Sequence, residues 1–173
     1  MKEEINVFIG WDSREDIAYQ VCKHSIESRT KHANIYPLKQ KKLRGEELYW
    51  RKEDKLASTE FTFTRFLVPE IMEFNGWALF MDCDMLLTTD IKKLFAQANN
   101  KYAVMCVKHD YNPPEGQKMD GKPQLQYPRK NWSSVMLFNC SHPSNAQLTK
   151  DLVNDPVIDG KYLHRFSWLK DEE

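Results

Sequence analysis

The chain has 173 residues, 41% hydrophobic and 29% charged, which is enough for one domain with an apolar core and excludes disorder as the expectation. Its 25 Lys and Arg residues balance its 25 Asp and Glu residues, so net charge gives no reason to expect a nucleic acid or an acidic membrane as partner. No apolar run is long enough to cross a bilayer, and "MKEEINVFIG" is acidic where a signal peptide would be basic. The sequence therefore predicts a cytoplasmic protein without a transmembrane segment.

The first forty residues have the pattern of a β-α-β unit. The run "EINVFIG" predicts a strand that ends at Gly10, and Ser13 followed by Asp16 has the spacing of a capping box. Helical spacing predicts a helix from about Arg14 to about Ser28, and "NIYPL" predicts a second strand. The residues expected to face the sheet are Ile17, Ala18, Val21, Cys22, Ser25 and Ile26. A β-α-β unit favours a parallel sheet, which binds ligands at the carboxyl ends of its strands.

The middle of the chain contains a charged stretch, a helix and a buried strand. The mixed charges of residues 39–55 are typical of a solvated loop or helix face. The apolar residues that follow predict a helix started or broken near Pro69. The run "WALFM", residues 77–81, predicts a strand buried on both faces, and Thr89 or Asp90 can cap the short helix beyond it.

Two further strands and a long loop are predicted after residue 100. The runs "KYAVMCV" and "SSVMLFNC" have the composition of strands. Between them, residues 109–130 carry four prolines and two glycines, which predicts an irregular loop of the length that often forms a lid.

Asp82 and Asp84 are separated by one residue and come directly after the predicted buried strand. Acidic side chains at such a position do not stabilise a strand, so a role in binding is indicated. Two carboxylates there suit Mg²⁺ or Mn²⁺, which would complete its coordination with water and substrate phosphates. Taken alone, a D-x-D pattern also occurs in turns and helix caps.

Four segments of the sequence resemble the GT-A glycosyltransferases, most closely the glycosyltransferase family 8-like group. They lie in the family's order between Asn6 and Asn139, and they read "NVFIGWDS", "STEFTFTRFLVPEIM", "ALFMDCDMLLTTDIKKLF" and "NWSSVMLFN". The resemblance implies one α/β domain over residues 1–173, with a Rossmann-like, mixed and mostly parallel sheet flanked by helices. It further implies sugar transfer from a nucleotide-sugar donor, expected to be a UDP-sugar, to a saccharide or protein acceptor, with retention of anomeric configuration.

The resemblance also implies roles for individual residues. Asp84 is the expected ligand of Mn²⁺ or Mg²⁺. Asp82 shares the metal with Asp84 or binds the ribose or a metal-bound water, and Arg65 approaches the diphosphate or the two aspartates. Asn131 and Asp171 match positions near the transferred sugar and are the candidate catalytic residues. The further candidates for donor contacts are Gly10, Trp11, Asp12, Ser133 and Ser134.

The chain departs from the family pattern at two places. Family members usually have Asn-Ala-Gly or Asn-Ser-Gly before the later strand, where this chain has Trp132-Ser133-Ser134. They also take a third metal ligand from a C-terminal His, and no residue after Asn139 matches that segment. The expectation is therefore a shortened glycosyltransferase domain without that ligand.

Three other functions fit parts of the pattern. A haloacid dehalogenase-type phosphatase also places D-x-D after a buried strand, but it has Thr or Val where this chain has Leu86. A sugar nucleotidyltransferase would need a glycine-rich loop after the first strand, and "GWDSRED" contains a single glycine. A catalytically inactive module that binds a nucleotide sugar also fits, because a fold does not determine activity.

Overall fold

The computed structural model describes residues 4–52, 54, 57–110, 116–117, 123–124, 129 and 131–170. The strands are β1 (Ile5–Gly10), β2 (Ala33–Leu38), β3 (Trp77–Met81), β4 (Val104–Cys106), β5 (Gly116–Gln117), β6 (Pro123–Gln124) and β7 (Val135–Asn139). The α-helices are α1 (Asp16–Glu27), α2 (Gln40–Gly45), α3 (Val68–Ile71), α4 (Lys92–Phe95), α5 (Lys150–Asn154) and α6 (Gly160–His164). Three 3₁₀ helices span Thr64–Leu67, Trp132–Ser134 and Pro143–Gln147.

A five-stranded sheet in the order β2-β1-β3-β7-β4 forms the centre of the fold. β1 pairs in parallel with β2 on one side and with β3 on the other. β7 runs antiparallel to both of its neighbours, β3 and β4, so the other four strands share one direction. The prediction of a mixed, mostly parallel α/β sheet flanked by helices is confirmed.

The apolar runs of the sequence form the buried core. β1 is buried at all six positions, and β3 and β7 are each buried at four of five, as expected for central strands covered on both faces. Phe66, Phe80 and Phe138 are completely buried and pack in the same cluster. The core therefore fixes β3 rigidly, and with it the chain that leaves β3 at Asp82.

Three local predictions are wrong in detail. The N-cap of α1 is Glu15, without a side-chain hydrogen bond, because the Ser13 hydroxyl donates to the Glu60 carboxylate instead of capping the helix. Ile17 and Val21 are 81% and 51% exposed, so they do not face the sheet. The charged stretch 39–55 is not simply surface, because Arg51 is buried within it.

The remaining local predictions agree more closely with the structure. A 3₁₀ turn precedes α3, and Pro69 lies at the start of α3, where a missing N–H costs nothing. The Asp90 carboxylate accepts a hydrogen bond from the backbone of Lys92, although the N-cap of α4 is Ile91. Within the predicted loop 109–130, β5 and β6 pair antiparallel, and most of the other residues lie outside the described part of the chain.

Candidate functional site

Parallel pairing brings the turn after β1 and the D-x-D segment to one edge of the sheet. Ile9 of β1 lies opposite Met81 of β3, so both strands deliver the residues that follow them to their shared carboxyl edge. Asp82 is the first residue after β3 and its N–H donates to the Ser134 carbonyl at 2.9 Å. The segments that carry Asp12, Asp82 and Ser134 therefore converge at that edge.

Arg65 forms an ion pair with Asp82 at the centre of this edge. Its Nη1 lies 2.9 Å from Oδ1 of Asp82 and donates to the Ser133 carbonyl at 2.8 Å. Its Nε donates to the Phe61 carbonyl at 3.2 Å, and the guanidinium lies over the Phe80 ring at 4.9 Å from the centroid. The Arg65 side chain is only 8% exposed, so it is held in one orientation by carbonyl groups and aromatic rings.

The carboxylate of Asp82 is close to a cation and still incompletely satisfied. Its Oδ1 is buried, and Nη1 of Arg65 lies at ion-pair distance from it without the alignment of a full hydrogen bond. Burial raises the pKa of Asp82 to about 6; the charge of Arg65 opposes this rise, and the charges of Asp84 and Glu15 add to it. An acidic oxygen in this state favours a bound cation, because a cation would offset the cost of burying its charge.

Asp84 has the opposite surroundings. It is exposed, and it makes no hydrogen bond or ion pair with the rest of the described chain. Cys83, between the two acids, is buried, and its thiol donates to the Glu15 carboxylate at 3.3 Å. Burial, together with the Glu15 contact, raises the pKa of the Cys83 thiol to about 12, so the thiol stays neutral.

The side chain of Asp12 is fully buried and holds the turn after β1. Its Oδ1 accepts from the backbone N–H and from Nε of Arg14, each at 2.9 Å, and its Oδ2 accepts from Nη2 of Arg14 at 2.7 Å. Oδ2 also accepts from the backbone N–H of Glu60 at 3.1 Å. The hydrogen bond from the Arg14 side chain is the main cause that lowers the pKa of Asp12 to about 2.

The two residues before Asp12 pack closely against their neighbours. A Cβ at Gly10 would lie 2.5 Å from the Phe61 ring, so only glycine fits there. Trp11 donates from Nε1 to the Asp16 carboxylate at 2.8 Å, and Nζ of Lys39 lies 4.5 Å from the centroid of the Trp11 ring. Gly10, Trp11 and Asp12, the candidates for donor contacts in the turn after β1, are thus each fixed by contacts within the protein.

Ser133 and Ser134, the candidate site residues just before β7, lie next to the Arg65 ion pair. Ser133 and Ser134 supply the two carbonyls that bind Arg65 and Asp82, and the Ser133 hydroxyl lies 2.8 Å from Nδ1 of His164. Asn131 is exposed in a left-handed conformation with φ of 65°. Asp171 lies outside the described residues. Sequence reasoning missed His164, because 31 residues separate it from Ser133 and no motif connects them.

A cavity of about 370 Å³ opens at the carboxyl ends of β1 and β2. Its lining includes Ser13, Arg14, Gln40, Arg44 and Tyr49. Arg14 is oriented there by Asp12, and its Nη2 also donates to the Ser58 carbonyl at 2.7 Å. The cavity therefore lies on the same edge of the sheet as the end of β3, because β1 is the direct neighbour of β3.

The side chains that could ligate a metal at this edge suit a divalent cation only in part. Within the described ranges, no three His, Cys, Asp or Glu side chains come close enough to hold a metal ion. Mg²⁺ and Mn²⁺ are nevertheless often bound by one or two carboxylates, with substrate phosphates and water completing the coordination. The partly exposed carboxylate of Asp82 and the exposed carboxylate of Asp84 fit a site of that kind.

Comparison with known proteins identifies the fold. The chain is similar to glycosyltransferase GlyE of Streptococcus pneumoniae TIGR4, with a TM-score of 0.60 and 15% identity, over 99% of this chain and 44% of that one. The WbbM bifunctional glycosyltransferase matches with a TM-score of 0.56 and 15% identity, over 88% of this chain and 34% of that one. Mouse xyloside xylosyltransferase 1 matches with a TM-score of 0.52 and 13% identity, over 95% and 81% of the two chains. The chain has a glycosyltransferase-like fold.

One sequence relative is much more similar to the chain than these structures are. Protein CDI of Arabidopsis thaliana is 52% identical over 173 residues, which are 99% of this chain and 66% of that protein. The chain thus spans 66% of the length of this curated relative. No protein-family model matches the chain.

None of the helices in the described part of the chain combines the length and the apolar character needed to cross a bilayer. The longest of them, α1, has 12 residues, and it carries charged side chains.

Proposed function

We propose that the chain is a metal-dependent glycosyltransferase domain of the family 8-like group that transfers a sugar from a UDP-sugar. The observation that carries the proposal is the ion pair of Asp82 with Arg65, next to the exposed carboxylate of Asp84, at the carboxyl edge of β3. The glycosyltransferase-like fold supports it, because such folds bind ligands at this edge of the sheet.

Asp84 and Asp82 would hold Mn²⁺ or Mg²⁺ in this proposal, with Asp84 as the ligand most accessible to the donor. The bound ion supplies Lewis-acid stabilisation of the charge that develops on the leaving diphosphate. Arg65 contributes a fixed positive charge beside Asp82, and its orientation is set before the donor binds by the carbonyls of Phe61 and Ser133.

The cavity at the ends of β1 and β2 is the proposed place for the nucleoside of the donor. Neighbouring strands lie about 4.8 Å apart, so roughly 10 Å separates the end of β2 from the end of β3. That span suits a ribose and a diphosphate between a base in the cavity and the metal at Asp84. Gly10 and Trp11 precede Asp12 in the turn after β1, and Asp12 acts by orienting Arg14, which lines the cavity.

The segment before β7 would contact the sugar that is transferred. Asn131 is exposed next to Ser133 and Ser134, whose positions at the ion pair are fixed by backbone hydrogen bonds. Asp171 completes the proposed sugar contacts. Retention of configuration belongs to the proposal, as do a saccharide or protein acceptor and a cytoplasmic location, and no covalent nucleophile is assigned.

A nucleotide-sugar-binding module without turnover is the second candidate. It is favoured by one observation, the lack of a third metal-ligating side chain near Asp82 and Asp84 among the described residues. The matches to glycosyltransferase structures favour either candidate over a phosphatase.

Calorimetric titration with UDP tests the donor site. We expect saturable binding with Mn²⁺ and no binding with excess chelator. Asp84→Ala should abolish Mn²⁺-dependent binding without loss of fold, because Asp84 is exposed. Asp151→Ala, which removes an exposed acid from α5, is the matched control and should bind as the wild type does.

Two results would contradict the proposal: no metal-dependent UDP binding by the wild type, or unchanged binding by the Asp84→Ala variant. Turnover separates the two candidates. Release of UDP from a panel of UDP-sugars with Mn²⁺, lost in Asp84→Ala, supports the enzyme, whereas binding without release supports the module.

A further inference from the structure

His164 ends α6 and contacts two of the elements that hold Arg65. Its Nδ1 shares a hydrogen bond of 2.8 Å with the Ser133 hydroxyl, and the tautomer of the ring decides which group donates. Its ring meets the Phe66 ring edge-to-face, with 5.1 Å between centroids. Phe66 follows Arg65 directly in the 3₁₀ helix Thr64–Leu67, so His164 contacts both sides of the Arg65 environment.

Ser133 connects His164 to the ion pair. Its hydroxyl faces His164, and its carbonyl accepts from Nη1 of Arg65 at 2.8 Å. The same Nη1 lies 2.9 Å from Oδ1 of Asp82. A shift of the Ser133 backbone would therefore move the acceptor that keeps Arg65 directed at Asp82.

The placement of α6 is itself well defined. The Asp159 carboxylate caps the helix by accepting from the backbone N–H of Tyr162 at 2.8 Å, and Leu163 is fully buried. Arg129 donates from Nη1 to the Arg165 carbonyl at 2.9 Å, directly after the helix. These contacts hold His164 in a fixed position from which it can restrain Ser133.

We propose that His164 is a positioning residue: by its hydrogen bond to Ser133 and its packing on Phe66, it keeps the Arg65 guanidinium directed at Asp82. The inference rests on the proposed function, in which Arg65 and Asp82 serve the donor diphosphate. The alternative is a purely structural role for His164 within the aromatic cluster of Phe66 and Trp168.

Hydrogen exchange at Nε of Arg65, measured by NMR on the intact chain, tests the proposal without a ligand. Arg51 is the internal reference, because it is also buried and its guanidinium donates to the carbonyls of Val153, Asp155 and Ile158. In His164→Ala, exchange at Arg65 should accelerate by about fivefold, the change expected from loss of one hydrogen bond, with Arg51 unchanged. In His164→Asn, whose amide reaches the position of Nδ1, most of the protection should return.

Each alternative result overturns the proposal. Unchanged exchange at Arg65 in His164→Ala would show that His164 does not restrain it. Equal acceleration at Arg65 and Arg51 would show a general loss of stability, which is the structural role.

Binding of UDP with Mn²⁺ extends the same test to function. We expect about fivefold weaker binding in His164→Ala, recovery in His164→Asn and no change in His142→Ala. His142 is a suitable control because its ring caps the 3₁₀ helix Pro143–Gln147 and has no contact with the Arg65 ion pair. Absence of metal-dependent binding in the wild type would count against the proposed function alone, since exchange at Arg65 decides the positioning role separately.

Discussion

Asp82 and Asp84 lie one residue apart and differ completely in their surroundings. Asp82 keeps 22% of its side-chain exposure and faces Arg65 at 2.9 Å, whereas Asp84 is exposed without a partner among the described residues. The difference follows from the chain leaving the sheet, because Asp82 is still hydrogen-bonded to the Ser134 backbone. The two acids should therefore respond differently to pH and to substitution.

Binding of Mn²⁺ alone should depend on pH through Asp82. Because the pKa of Asp82 is raised to about 6, the carboxylate is ionised above that pH and protonated below it. Affinity for Mn²⁺ should thus fall as pH drops from 7 to 5, approaching a tenfold loss per pH unit below 6. Titration by electron paramagnetic resonance would measure this without the nucleotide's own protonation. Asp82→Asn should bind more weakly and without pH dependence, and the same pH dependence in that variant would contradict the assignment.

Asp82 should also lower the stability of the protein near neutral pH. Because the pKa of Asp82 is higher in the folded state than the usual 3.8, the contribution of Asp82 to stability is greatest below pH 4 and is lost as pH rises through 6. Asp82→Asn removes the buried charge, so its melting temperature should exceed that of the wild type by about 2–4 °C at pH 7.5. The difference should disappear at pH 4. If calorimetric scans gave the Asp82→Asn variant and the wild type the same melting temperature at pH 7.5 as well as at pH 4, this prediction would be refuted.

Removal of the Arg65 charge should be costly because it leaves Asp82 without its partner cation. We expect Arg65→Met to lower the free energy of unfolding by about 2–3 kcal/mol, as for a partly buried ion pair that loses one member. Adding Asp82→Asn to that variant should restore part of the loss. Urea unfolding of the two single variants and the double variant measures the coupling, and additive effects would show that the two side chains do not interact.

Asp12 should contribute to stability through the turn after β1. Asp12→Asn loses the charged hydrogen bonds to Arg14 and should cost about 1–3 kcal/mol at pH 7. Because the pKa of Asp12 is lowered to about 2, this contribution is present above pH 4 and is lost as pH falls toward 2. Urea unfolding should show a large difference in the free energy of unfolding between Asp12→Asn and the wild type at pH 7, and a small one at pH 2.5. A difference independent of pH would argue against the ion pair.

Gly10→Ala should destabilise the protein by steric conflict with Phe61. The new Cβ would lie 2.5 Å from the ring, and Phe61 is buried, so the ring has little room to move. We expect a cost of about 1–3 kcal/mol, typical of overpacking in a core. Phe61→Leu in the same chain should recover part of this cost, and the absence of recovery in thermal unfolding would show that the strain lies elsewhere.

Much of the fold could be predicted because its signals are local. The apolar runs of β1, β3 and β7 are buried as their composition indicates, and Gly10 ends β1 as predicted. The D-x-D segment follows β3 directly, so its place at the carboxyl edge of the sheet followed from strand order and polarity. These features depend on hydrophobic pattern and chain direction, both of which are written in consecutive residues.

Features that depend on distant partners could not be predicted. The spacing of Ser13 and Asp16 favoured a capping box, but the Ser13 hydroxyl bonds Glu60, 47 residues away. Arg51 lies in a charged stretch typical of surface, yet its guanidinium is buried against carbonyls more than 100 residues distant. Local propensity cannot report such contacts, because they form only when the chain is folded.

The sequence by itself determined β1, β2, β3, β4 and β7 as strands and the position of the two acids after β3. Only the tertiary structure decided that Asp82 faces Arg65 while Asp84 faces solvent, and that Ser133 connects His164 to this pair. The physical reason is that hydrophobic periodicity specifies which segments are buried, whereas the pKa of a carboxyl group depends on the charges and carbonyls that distant segments place around it.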